Sequence, residues 1–462
     1  MFNEEEENSI FYDLDDNEYR VSLLSEGGQG KVYITEDKKI AVKVAKTPLD
    51  SDENYRAAYY KNLEKILSVF VEDGVHVAFP IVGLKEQCGY VMEFLDGGKD
   101  LTGLMITSVK MKEILQRYNE TGGLKRRLLI LHDLAKTLHG LHKFGYVYGD
   151  ISHANVFISR LPRDISEIDE DNTVICLIDT DNIKKQEEYK KGIYTPGYAA
   201  PEVVMGMVNS PRSDMYSFAL LAYRLLNING PFDGEQEDED DDFGWDAETE
   251  EGCGDSSKEE RGEKAFIFDD KDLSNRAGAN VIPYSFGCTE KLISLFRRAF
   301  SYNSRCLCKG RPNAAEWACA LAEATDSVVY CPKCNTHHYY GMQPCGSVFS
   351  GVIAKIDYLS SVDEEYLVTD CGEVVFDGSS ARIFDRRTQK TDLKSHRICD
   401  IKLRDTEFEI SDLNKEEYIC LIYTNGKLAE GNCGNIRRSQ ILVVKVQDPS
   451  EFIARISFEV KN

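Results

Sequence analysis

Over residues 21–95 apolar and polar positions alternate in short β-type runs, at 31–34, 40–44 and 89–94, the period-two pattern of strands with one buried face. One stretch, at about 55–70, reads instead as a helix. From Leu124 the spacing changes. Leu128, Leu131, Ala135, Leu138 and Leu141 recur every three or four residues, which predicts a helix with a single buried stripe. Tyr216, Leu220, Tyr223 and Leu226 repeat that spacing, and further helical stretches follow at 292–296 and 314–322. After Gly346 the β-type runs return at 348–356, 373–376, 407–410, 418–423, 441–446 and 452–460, with Asn425-Gly426 as a hairpin turn between two of them. The expected order is a small sheet carrying one helix, a mostly helical lobe, and a β-rich C-terminal domain, an α+β chain.

A length of 462 residues fits two or three domains better than one core. The net charge of −24 is concentrated: residues 1–19 hold eight acids and residues 233–251 hold twelve, neither with any Lys or Arg. The segment 1–20 is therefore read as an acidic N-terminal segment. Residues of about 233–264 are read as a disordered acidic insertion, because so charged and aliphatic-poor a stretch cannot bury a core. No net basic surface is implied, which argues against binding nucleic acid by phosphate neutralisation and against anionic membranes. The start, Met1-Phe2-Asn3-Glu4-Glu5-Glu6-Glu7, is the opposite of a basic secretory leader, and no apolar run reaches membrane-spanning length. A cytoplasmic location is expected, where most of the 14 cysteines would be reduced.

The candidate chemistry begins with Ser25-Glu26-Gly27-Gly28-Gln29-Gly30-Lys31-Val32, a glycine-rich stretch between strands where backbone amides can approach phosphates. Ala41-Val42-Lys43 puts an ammonium on the next strand, and Glu64 on the following helix offers a carboxylate to hold it against a nucleotide. Tyr148-Gly149-Asp150 precedes Asn155 by a spacing that suits a base and a metal ligand on one loop. The apolar run at 174–178 ends in Asp179-Thr180-Asp181, a carboxylate able to bind Mg2+.

With Thr195-Pro196-Gly197-Tyr198-Ala199-Ala200-Pro201-Glu202 added, the sequence resembles the protein kinase superfamily. Ser213-Asp214-Met215-Tyr216-Ser217-Phe218 is similar to the buried-Asp helix of the kinase large lobe, and Gly310-Arg311-Pro312 to its closing helix. The resemblance implies a bilobal kinase fold with an N-lobe at 21–95 and a C-lobe at 96–325. It implies ATP under a glycine loop of Ser25, Gly27, Gly28, Gly30 and Val32, with Ala41, Met92, Glu93 and Leu95 around the adenine and hinge. Lys43 and Glu64 would position phosphates, Asp179 and Asn155 would hold Mg2+, and Asp150 would accept the proton of a substrate hydroxyl. Glu202, Asp214 and Arg311 would be structural, with Arg311 pairing Glu202.

Departures from the usual pattern narrow the resemblance. His-Arg-Asp is replaced by Tyr148-Gly149-Asp150, so no Arg is present to receive an activation-segment phosphate, and Thr195 is expected to position substrate. Asp-Phe-Gly becomes Asp179-Thr180-Asp181, and Ser152 stands two residues after Asp150. These features resemble a divergent bacterial branch that carries a Cys-rich segment directly after the kinase domain. The expectation is a signalling kinase that phosphorylates Ser or Thr hydroxyls of a protein substrate, with a metal-dependent protein phosphatase implied as partner by that resemblance. A nucleotide-binding pseudokinase that scaffolds a complex is the alternative.

Residues 326–347 form the candidate zinc segment, ribbon-like in spacing. Cys331-Pro332-Lys333-Cys334 offers two thiolates on a tight turn, and Cys345 with His337 or His338 would complete a tetrahedral site. His338 is carried forward as the imidazole ligand. Residues 348–462 are expected to form a β-rich interaction domain.

Overall fold

The computed structural model describes residues 9–27, 30–46, 53–95, 98–105, 111–234, 258–278, 281–341, 350–362, 365–386 and 396–461. Gly28, Cys345 and residues 235–257 of the acidic insertion lie outside this set.

The N-lobe is a six-stranded antiparallel sheet with one helix. Its strands are β1 (Ser9–Tyr12), β2 (Glu18–Gly27), β3 (Gly30–Thr35), β4 (Ile40–Ala45), β5 (Pro80–Gly83) and β6 (Gly89–Glu93), in the order β1-β2-β3-β4-β6-β5. Phe11, Val21, Val42, Leu84 and Val91 form its small core. Phe11 belongs to the stretch read as an acidic N-terminal segment. Residues 9–12 and 18–20 are strand because the polar run is interrupted by Ile10, Phe11, Tyr12 and Tyr19, and the Asp13 carboxylate caps the connecting turn, accepting from the Asp15 and Asn17 amides at 2.9 Å each. Helix α1 (Glu53–Leu67) lies against β5 and buries Leu63 and Ile66.

The C-lobe is built around α3 (Gly123–Lys143), preceded by β7 (Lys99–Asp100) and α2 (Met111–Glu120). Leu128, Leu131, Ala135, Leu138 and Leu141 are all fully buried, the stripe that the spacing of these leucines predicts. Then come β8 (Tyr146–Val147), β9 (Val156–Ile158), β10 (Ile175–Leu177) and β11 (Lys184–Lys185). β9 and β10 pair as a hairpin with β7 added at the β9 edge, and β11 pairs with β8. Helices α4 (Pro201–Val204), α5 (Pro211–Asn227), α6 (Glu290–Ala299), α7 (Tyr302–Leu307) and α8 (Ala314–Asp326) complete the lobe. Ser210 and Asn313 cap α5 and α8 through reciprocal bonds with the third residue of each helix. Tyr216, Leu220, Tyr223 and Leu226 of α5 pack with Phe296, Phe300 and Trp317 in one core.

The end of the acidic insertion differs from expectation. Residues 258–264 form an ordered turn: the buried Arg305 side chain donates to the Gly262 carbonyl, and Glu260 accepts from the Gly197 amide at 2.9 Å. The apolar run Ala265-Phe266-Ile267 is fully buried and draws this turn onto the lobe.

Strands β12 (Val328–Cys331) and β13 (Thr336–Tyr339) form a short hairpin after α8. It serves two cores, since Val328 and Tyr339 join the C-lobe core while Val329 packs with Ile353 and Val375 of the last domain. That domain consists of β14 (Gly351–Val362), β15 (Glu365–Val375), β16 (Ser380–Phe384), β17 (Arg397–Arg404), β18 (Glu407–Ser411), β19 (Tyr418–Thr424), β20 (Lys427–Glu430), β21 (Cys433–Asn435), β22 (Ser439–Lys445) and β23 (Asp448–Lys461). A six-stranded sheet, β15-β14-β23-β22-β19-β20, faces a four-stranded one, β16-β17-β18-β21. Ile356, Ile398, Ile401, Ile441 and Ile456 fill the space between them, as alternate inward residues of two packed sheets do. Asn425-Gly426 links β19 to β20, with Thr424 paired to Lys427. The buried Arg386 side chain binds Asp326 of α8 at 2.7 and 2.9 Å, and Lys125 reaches Asp377 at 3.4 Å, so the domain is tied to the C-lobe. Among the described residues no helix is long and apolar enough to cross a membrane.

Candidate active site

The cleft between the lobes is assembled from β2 to β4, the loop after β8 and the end of β10. At the β2–β3 hairpin Gly27 pairs with Gly30 and Ser25 with Val32. A Cβ on Gly30 would stand 2.1 Å from the Val44 carbonyl oxygen, so only glycine lets the hairpin lie this close to β4. On β4, Ala41 is buried and pairs with Met92, while Ile40 pairs with Glu93. The Phe94 amide donates to the Lys39 carbonyl at 2.8 Å, fixing the chain as it leaves β6 toward Leu95.

Lys43 sits between Val32 and Tyr90 in the sheet register, with its side chain only 10% exposed. Its ammonium donates to Asp179 Oδ1 at 2.7 Å and to Asp181 Oδ2 at 2.6 Å. Burial disfavours its charge, but Tyr90, Asp181 and Asp179 outweigh that and hold the ammonium above its ordinary pKa. The expected Lys43–Glu64 pair does not form among the described residues. Leu63 and Ile66 turn inward, and Glu64 lies about 100° round the helix from Leu63, so its side chain is exposed. Tyr59, one turn before Leu63, occupies the inward face; burial and then the Asp181 charge push its phenol up.

On the C-lobe side the Tyr148 and Gly149 amides donate to Asp214 at 2.8 and 2.9 Å, and His142 Nε2 lies 2.9 Å from the same carboxylate. The Tyr148 hydroxyl donates to the Ile178 carbonyl, joining this loop to the end of β10. Gly149 has φ +87°, and a Cβ there would lie 2.4 Å from the Tyr189 hydroxyl. Asn209 Nδ2 donates to the Gly149 carbonyl at 2.8 Å. Asp150 Oδ1 accepts from Thr195 Oγ1 at 2.7 Å, and Asp150 Oδ2 from Asn155 Nδ2 at 3.1 Å. Burial, followed by the Asp179 charge, raises the Asp150 carboxyl above its ordinary value, while the Thr195 and Asn155 bonds oppose the rise. Asp179 itself has φ +58°, a left-handed conformation that Asp adopts more readily than most residues. Arg311 forks onto both oxygens of Glu202 at 2.6 and 2.8 Å, with both side chains nearly fully buried.

Residues 20–266, just over half of the chain, match the protein kinase domain family. This chain belongs to the protein kinase family. Among its relatives, the serine/threonine-protein kinase pkn2 of Myxococcus xanthus is 29% identical over 223 residues, 47% of this chain and 25% of that protein. Serine/threonine-protein kinase PknD of Chlamydia trachomatis serovar L2b is 23% identical over 232 residues, and PknD of Chlamydia pneumoniae 24% over 229, each across 46% of this chain. The kinase spans about a quarter of the length of these relatives.

Three site residues escaped the sequence reading. Tyr189 packs under Gly149 and donates to the Val147 carbonyl at 3.2 Å. Asn209 bridges Gly149 and Ile193. Asp181 binds Lys43. Only Asp181 carried a signal, an acid where the kinase pattern has glycine. Ser152 is fully buried and its hydroxyl has no hydrogen-bond partner among the described residues, so it faces the loop interior rather than the cleft.

Outside the cleft, Cys331, Cys334 and His338 bring one ligand atom each to within 4.8 Å of one another. Among the described residues His338 Nε2 is buried without a hydrogen-bond partner, while its Nδ1 lies 3.1 Å from the Tyr339 carbonyl oxygen. Both ring nitrogens of His337 are buried and have no hydrogen-bond partner among the described residues.

Proposed function

We propose that this chain is an ATP-dependent protein kinase that transfers the γ-phosphoryl group to Ser or Thr hydroxyls of a protein substrate. The observation that carries the reading is the bonding of Asp150. Its carboxylate is held by Asn155 and by Thr195, on the segment where a protein substrate would lie. Thr195 thereby marks the place of an incoming hydroxyl, at hydrogen-bond distance from the group that would take its proton. Lys43 supplies positive charge for the α and β phosphates, and the β2–β3 hairpin covers them with backbone amides.

The donors suit Mg2+. Asp179 offers hard carboxylate oxygens, and Asn155, whose Nδ2 is committed to Asp150, keeps Oδ1 as a ligand atom. When bound, the ion neutralises charge on the phosphate oxygens. Phosphoryl transfer asks mainly for alignment, so Asp150 need not be a strong base. The Asp214, Asn209 and Tyr189 bonds keep its loop in place before substrate arrives.

Retention of Lys43, Asp150, Asn155 and Asp179 together favours a working enzyme over a pseudokinase scaffold. The test is transfer of label from γ-labelled ATP onto the protein itself and a generic protein substrate, followed by identification of the labelled residue. Phosphoserine or phosphothreonine that disappears in Asp179→Ala is expected; nucleotide binding without transfer in the wild type would favour the scaffold.

We also infer that Cys331, Cys334, His338 and Cys345 hold a structural zinc ion. Two soft thiols and a buried imidazole nitrogen lacking a partner among the described residues are a zinc donor set. Metal analysis of the purified protein is expected to give one zinc per chain, lost in Cys331→Ser with Cys334→Ser. We read the β-rich domain beyond it as the module that binds a partner protein.

A further inference from the structure

Most of what surrounds Lys43 comes from elements other than the helix expected to hold it. Tyr90 is on β6, Asp179 and Asp181 follow β10, and α1 contributes Tyr59, while the carboxylate of Glu64 points to solvent. Two acids on one ammonium is one more than a salt bridge requires. Asp179 is also the residue whose oxygens suit Mg2+, so an acid that serves the cation is not free to serve Lys43 alone. Among the described residues Asp181 makes no hydrogen bond or ion pair other than the one to Lys43, and its side chain is 32% exposed. The Thr180–Asn182 single turn, stapled by the Ile183 amide bonding the Thr180 carbonyl at 2.9 Å, fixes the spacing between the two acids.

We propose that Asp181 is the positioning residue for Lys43, holding its ammonium toward the nucleotide phosphates and releasing Asp179 to the cation, in place of an acid on α1. This rests on the reading of Lys43 as the phosphate-binding ammonium. It explains why an acid replaces the glycine of the usual kinase pattern and why α1 can present Tyr59 inward. α1 then meets the cleft through Tyr59 and the surface Lys65–Glu188 ion pair rather than through an acid on Lys43.

The first readout is independent of phosphoryl transfer. At a fixed pH near 9, acetylation of Lys43 by acetic anhydride, read by mass spectrometry relative to the other lysines, scales with the fraction of neutral amine. The groups that set this fraction are Asp179, Asp181, Tyr90 and Tyr59. Loss of an adjacent carboxylate lowers an ammonium pKa, so Asp181→Asn is expected to speed Lys43 acetylation about tenfold, one pKa unit's worth. Asp181→Glu should retain the wild-type rate, and Glu64→Gln should leave it unchanged. The second readout is steady-state kinetics. Asp181→Asn is expected to raise KM for ATP about tenfold or more, the worth of one charge-assisted hydrogen bond, with most of the loss recovered in Asp181→Glu. Wild-type acetylation in Asp181→Asn, or a tenfold effect of Glu64→Gln on either quantity, would overturn the proposal. If the wild type transfers no phosphate, the kinase reading fails and acetylation alone still decides the Asp181 assignment.

Discussion

On the C-lobe side of the cleft, Asp150 is held by Asn155 and Thr195, its loop by Asp214, Asn209 and Tyr189, and the whole rests on a core running from Leu101 to Tyr339. On the N-lobe side, Lys43 projects from a sheet with a small core around Phe11, Val42 and Val91, and its partners come from across the cleft. One half of the site is fixed by bonds within its own lobe, the other by bonds that a nucleotide or a cation would compete for. A side chain such as Asp214, nearly fully buried and bonded to two amides, has one place to be. A side chain such as Glu64 has its place set by how α1 is rotated, and that is decided by Leu63 and Ile66.

The contrast can be broken most forcefully at Asp214. Asp214→Ala leaves the Tyr148 and Gly149 amides buried and unpaired, at about 1–3 kcal/mol each, and frees the loop that holds Asp150. Denaturant unfolding is expected to show a loss of that size together with a collapse of transfer; a stable and active variant would mean the loop holds without its anchor. Next is Arg311→Ala, which strands the buried Glu202 carboxylate. The expected cost is about 3–5 kcal/mol, read as a lower unfolding midpoint.

Gly149→Ala is smaller in volume but places a methyl 2.4 Å from the Tyr189 hydroxyl on a backbone of positive φ. A loss of about 1–3 kcal/mol from strain and overpacking is expected, with part of it recovered by Tyr189→Phe, which removes the clashing oxygen. At the weak end, Lys65→Ala removes a half-exposed ion pair with Glu188 and should cost no more than about 1 kcal/mol. A larger loss would show that α1 matters more to the site than its exposed Glu64 suggests.

The pH dependence sharpens the comparison within the C-lobe half. The Asp150 carboxyl is raised by burial and by Asp179, so its proton-accepting form is lost as pH falls through a value above the usual carboxylate range. Thr195 opposes the rise by donating to the carboxylate. Thr195→Val therefore moves the acid limb of the transfer rate to higher pH, and an unmoved limb would mean that another group sets it.

Much of the C-lobe was legible because its chemistry is carried by residues whose positions the backbone dictates. The leucine stripe of α3 specified a buried helix, Asp214 sat one turn into a Pro-started helix, and Arg311 stood just before another, so their placements followed from the elements. Lys43 was legible for the same reason, being an inward residue of the strand Ile40–Ala45. Its partner was not, because a helix admits any rotation until its packing face is known, and Glu64 lies beside the two buried residues of α1 rather than among them. Asp181 was visible as a departure from the kinase pattern but read only for the glycine it removes. Tyr189 and Asn209 reach the Gly149 loop from chain segments 40 and 60 residues away, with no spacing rule linking them to it. Residues 258–264 looked like the tail of a charged insertion, yet Ala265-Phe266-Ile267 directly after them supplied the apolar anchor.

The central claim is that Asp150 takes the proton of a protein hydroxyl during transfer from ATP. Asp150→Asn keeps the size of the side chain and most of its hydrogen bonding, so the direct measurement is the single-turnover transfer rate of this variant beside the wild type, with nucleotide binding measured on both. The account predicts equal binding and a transfer rate lower by about 10²–10⁴. A variant that transfers at the wild-type rate, or a wild type that binds nucleotide and transfers nothing, would contradict it.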